Sequence, residues 1–90
     1  MFTNVYMLFD NVSQLFIGSP TLLVNDAVAI RSFKELMKDD RFPYKHMAAD
    51  INLFRLGQLN TATGELITEK QQLGNLQQMY DVDSVNNDNN

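Results

Sequence analysis

NDAVAIRSFKELMKDDRFP, residues Asn25–Pro43, decides how the rest of the chain is read. Asn25 and Asp26 stand ahead of an Ala-containing run, and either side chain can accept a hydrogen bond from the free N–H groups of a first helical turn. Ala29, Ile30, Phe33, Leu36 and Met37 close into one apolar stripe at helical spacing, with Val28 beside it. Arg31, Lys34 and Lys38 repeat at i, i+3 and i+7 and make a second, basic stripe. Asp39, Asp40 and Pro43 end the run, because the residue before a proline is pushed out of α geometry. The spacing predicts an amphipathic helix over Asp26–Lys38 with a basic edge.

Outward from this helix, both flanks read as β-hairpins. Asn4–Asp10 (NVYMLFD) is rich in aromatic and aliphatic residues and apolar on both sides, the composition of a strand. Val5, Met7 and Phe9 share one of its faces. Asp10-Asn11-Val12-Ser13 is turn chemistry, since Asp and Asn bond their own nearby backbone. Gln14–Ile17 is then the return strand, Gly18-Ser19-Pro20 a break, and Thr21–Val24 an extended lead into the helix. Beyond the helix, Arg41–Asp50 reads as a loop and Ile51–Leu59 as a strand. Gly57 within that strand marks a bulge or a close backbone approach. Asn60–Gly64 is a hairpin loop whose Gly64 supplies positive φ, and Glu65–Thr68 is the partner strand. Leu73, Leu76 and Tyr80 keep helical spacing through EKQQLGNLQQMY, although Gly74 costs such a helix roughly 1 kcal/mol. The polar, repetitive end DVDSVNNDNN reads as a disordered tail.

The expected fold is α+β: a ββαββ domain over residues 1–80, its two antiparallel hairpins forming one sheet covered by the central helix. A disordered acidic, Asn-rich tail is expected over 81–90. The helix is expected to bury Ile30, Phe33 and Met37 against Val5, Met7, Phe9, Leu53, Phe54 and Leu56. Ninety residues lie near the lower end of what builds an independent core. Unpaired sheet edges and the Leu73, Leu76, Tyr80 stripe therefore point to a homodimer.

Composition narrows the chemistry. No cysteine is present, so neither a disulfide framework nor a thiolate metal site is expected. The lone histidine, His46, sits in a polar loop without the adjacent nucleophile and orienting group that catalysis needs. Asp39 and Asp40 follow a helix and precede Arg41, which suits helix-end solvation or an ion pair better than a metal site. The four glycines are scattered singly and cannot cradle a phosphate. No catalytic, cofactor-binding or metal-ligating residue is assigned, and an enzyme is not expected. No apolar run approaches the ~18 residues of a membrane span. The N-terminal stretch lacks a basic lead, so neither secretion nor membrane insertion is expected.

The net charge of −4 is unlike that of a general nucleic-acid binder. Its distribution is uneven. Residues 31–55 hold six bases against the four acids Glu35, Asp39, Asp40 and Asp50, a local balance of +2. Single-stranded nucleic acid is held by cations along the phosphates and by aromatic rings stacked on bases. Arg31, Lys34, Lys38, Arg41, Lys45 and Arg55 are the candidate phosphate contacts, and Phe42 and Tyr44 the candidate stacking rings. On the competing reading Arg31 pairs with Glu35, the lysines are merely solvated and the aromatics fill the core.

In order and spacing, residues 4–68 resemble the small nonstructural protein of gokushovirus-type microviruses, which are single-stranded-DNA bacteriophages. The resemblance rests on Pro20, Asn25, Asp26, Ala29, Arg31, Phe33, Asp50, Leu53, Phe54, Leu56, Gly57, Thr63 and Gly64. Thr21 stands where that pattern has an aromatic, and Asn60 where it more often has Asp. The segment after Thr68 lies outside the pattern. The resemblance implies a protein made in the cytoplasm of the bacterial host, absent from the virion and associated with genome replication or packaging. Together with the basic, aromatic middle segment, it leads to an expectation of non-enzymatic single-stranded-DNA binding. The alternative is a dimeric regulatory factor of phage DNA synthesis or assembly that works through contacts with phage or host replication proteins.

Overall fold

The computed structural model describes residues 1–88, with side chains to Val82. Strands β1 (Phe2–Asp10) and β2 (Leu15–Leu23) are followed by helix α1 (Asp26–Leu36) and a 3-10 helix (Lys45–Asp50). Then come β3 (Ile51–Asn60), β4 (Leu66–Asn75) and helix α2 (Leu76–Asp88). The four strands form one antiparallel sheet in the order β2-β1-β3-β4, so the fold is α+β. The element order departs from plain ββαββ. The loop after α1 holds a 3-10 helix, α2 closes the chain, and α1 shares its side of the sheet with both.

Local chemistry sets the ends of the elements. Asn25 caps α1, its side chain accepting from the Val28 N–H at 2.8 Å. In the β1–β2 turn the Asp10 carboxylate accepts from the Val12 N–H at 3.0 Å, which holds its pKa below the ordinary carboxylate value. Gly18-Ser19-Pro20 does not break β2. Between the pairs Tyr6↔Thr21 and Leu8↔Ile17, β2 advances four residues while β1 advances two, so the segment is absorbed as a bulge. Because β2 is an edge strand, Pro20 removes no ladder donor that a neighbour requires.

The core differs from the expected one in which face of β1 it uses. Tyr6, Leu8, Ile51 and Leu53 of the sheet pack with Ala29, Phe33, Met37, Ala48 and Leu76. Val5, Met7 and Phe9 point the other way, as do Phe54 and Leu56. Pairing decides this: Leu8 stands opposite Leu53 and Asp10 opposite Ile51, so the even-numbered residues of β1 join the helices. Since β1 is apolar on both sides, its own pattern cannot choose between them. Phe33 and Met37 are buried as expected, and Ile30 is partly so.

The C-terminal third is also corrected. Residues 69–75, expected to be helical, extend β4, which pairs with β3 from Leu59↔Leu66 to Asn52↔Asn75. The helix begins one residue later. Asn75 accepts from the Gln78 N–H at 3.1 Å and donates to the Ala49 carbonyl at 2.9 Å, capping α2 and tying it to the 3-10 helix. Asn75 followed by Gln78 is the sequence signature of a capping box. The expected disordered tail overlaps α2 as far as Asp88, and residues 89–90 lie outside the described residues. The Leu73, Leu76, Tyr80 stripe is used within the chain, with Leu76 buried and Leu73 and Tyr80 packed against the core.

Candidate nucleic-acid interface

The first turn of α1 is anchored by a half-buried polar network. Asp26 accepts from the fully buried Tyr6 hydroxyl at 2.7 Å and forms an ion pair with Arg55. Arg55 also donates to the Gln71 side-chain oxygen at 2.6 Å. One carboxylate thus joins the helix to β1 and β3, and through Arg55 to β4. Burial, followed by the hydrogen bond to Asp26, pushes the Tyr6 hydroxyl up to about 12. Arg55 is therefore part of the helix–sheet joint. It is not a cation on an open surface.

The remaining candidate cations follow the outer edge of α1 and the loop after it. Arg31 is exposed and Lys34 half-buried, and neither forms an ion pair among the described residues. Together with Ala27, Ile30 and Glu35 they line a shallow depression of about 350 Å³. Lys38 pairs with Glu35 at 3.1 Å, Arg41 with Asp39 at 3.0 Å and Lys45 with Asp40 at 2.6 Å. These partners hold the Asp39 and Asp40 pKa values below the carboxylate range. Glu35 thus serves Lys38 rather than Arg31, and Asp39 forms the ion pair that its position beside Arg41 suggested. Phe42 and Tyr44 meet edge to face at 5.6 Å and pack against the core, so neither offers a free ring.

The sequence reading missed the opposite face of the sheet. There Phe9, Phe16 and Phe54 form an edge-to-face trio with centroids 4.9 to 5.7 Å apart. The Lys70 ammonium lies 5.9 Å from the Phe54 centroid. A strand apolar on both sides was the available signal, but it could not show that one side would lack a covering layer.

The model of the family described as Phage ORF5 protein matches residues 3–81. The chain belongs to that family. No curated protein and no solved structure matches it. The match takes in β2, β3 and β4, β1 from Thr3 and the start of α2, including the Gln-rich segment that the sequence resemblance left out. Several positions carrying that resemblance have structural roles here: Asn25 caps α1, Asp26 anchors it, and Ala29, Phe33 and Leu53 fill the core.

Proposed function

We propose that this phage protein is a non-enzymatic binder of single-stranded DNA, acting in genome replication or packaging of a gokushovirus-type phage. The outer edge of α1 carries the reading. Arg31 and Lys34 stand one helical turn apart and engage no carboxylate among the described residues. Lys38, Arg41 and Lys45 continue the edge into the following loop. The Arg41 and Lys45 ion pairs are surface ones, screened by water and salt, so a phosphate can displace the carboxylate at little cost. In this reading the protein contacts the sugar–phosphate backbone, while Arg55, Phe42 and Tyr44 hold the fold.

A fluorescence titration with a labelled oligonucleotide at several salt concentrations tests it, using the wild type and Arg31→Glu/Lys34→Glu. Affinity of the wild type should fall with salt by a log–log slope of about −0.7 per phosphate contacted, and the double variant should flatten that slope by about 1.4. Wild-type protein that binds no oligonucleotide at low salt would refute the reading. The second reading, regulation through protein contacts, is favoured by the uncovered aromatic face and would then take its place.

A further inference from the structure

We infer that the open face of the sheet, centred on Met7, Phe9, Phe16 and Phe54, is where a second copy of this chain docks, the two sheets stacking face to face with their helices outside. This inference does not depend on DNA binding.

The first argument is the distribution of apolar residues. Met7 stands opposite Phe54, and Phe9 opposite Phe16, in adjoining strand pairs. The sheet backbone separates this set from the core formed with α1, α2 and the 3-10 helix. A sheet that is apolar on one face needs one covering layer, and a sheet apolar on both needs two. The described helices cover one face only.

Area and charge then favour a second copy. Four strands of nine or ten residues make the face. At about 4.8 Å between strands and about 3.3 Å per residue, it measures roughly 19 by 30 Å, or roughly 600 Å². Two copies would bury roughly 1,200 Å², the lower bound for a stable specific interface. Lys70, the cation over the Phe54 ring, reaches in from the edge strand β4, and its flexible stem lets the ammonium swing out to the rim on stacking. Among the described residues Lys70 is the cation seen over these rings, far short of the cation track that a nucleic acid uses.

Sedimentation equilibrium of the full chain is the test. The wild type should show about twice 10.3 kDa at tens of micromolar. Phe54→Glu places a carboxylate at the centre of the face and should raise the dimer dissociation constant about tenfold or more. Circular dichroism checks that this variant is folded; if it is not, Met7→Lys tests the same face from β1. Arg31→Glu/Lys34→Glu should leave the mass unchanged, so failure of the DNA reading and failure of this one are separable. A wild-type monomer at about 200 µM, well above the concentration at which dimers are expected, would overturn the inference. So would a dimer that survives in a folded Phe54→Glu variant, which would move the contact to a sheet edge. A face variant that keeps its mass but loses oligonucleotide binding would assign the rings to bases instead.

Discussion

An alanine at Gly57 would place its Cβ 2.0 Å from the Ile67 carbonyl oxygen and 3.0 Å from the carbonyl carbon, both backbone atoms of the neighbouring strand. The oxygen would have to retreat by more than 1 Å to reach ordinary contact distance. The ladder around the pairs Gly57↔Thr68 and Gln58↔Ile67 would have to open with it. Two weakened hydrogen bonds at about 0.5–1.5 kcal/mol each give about 1–3 kcal/mol. The φ of +152° adds strain of order 1–3 kcal/mol for any residue with a side chain. Gly57→Ala should therefore cost about 2–6 kcal/mol, a large share of the 5–15 kcal/mol typical of a domain. Gly64→Ala is the matched control: its φ is +80°, but nothing lies within 4 Å of its added Cβ. That variant should lose only about 1–2 kcal/mol. Urea unfolding followed by circular dichroism, at one fixed protein concentration, measures both. Equal losses would refute the close-approach argument.

The Tyr6–Asp26–Arg55 network supplies two further predictions. Because the Tyr6 hydroxyl is raised from about 10 to about 12, its contribution is fully present below pH 10 and lost as pH rises through 12. A two-unit shift corresponds to about 2–3 kcal/mol, so denaturation across this range should show an alkaline loss that Tyr6→Phe lacks. Asp26→Ala leaves Arg55 and the buried Tyr6 hydroxyl without their shared acceptor and should cost about 1–3 kcal/mol in urea. Arg31→Ala, at an exposed position on α1, should cost no more than about 0.5 kcal/mol. Equal costs for these two variants would show that the network does not anchor α1.

By itself the sequence determined what acts within a few residues of chain. The Asn25 cap, the period of α1, the Asp10 turn and the glycine-bearing hairpin loop all stand as read, because capping and turn bonds close within two to four positions. Gly57 was legible too, since a lone glycine in a strong strand signals a close approach. Only the tertiary structure decided which face of β1 meets the helices, because a strand apolar on both sides takes its facing from its neighbours' register. It also decided how far β4 runs. Pairing with β3 carried the chain through Gly74 to Asn75, overriding a helical pattern too short to stand alone. The role of Arg55 was settled the same way: Asp26 lies 29 residues earlier, and no local pattern couples a helix's first turn to a strand's middle. The aromatic trio followed as a consequence, once pairing had assigned the other face of β1 to the core.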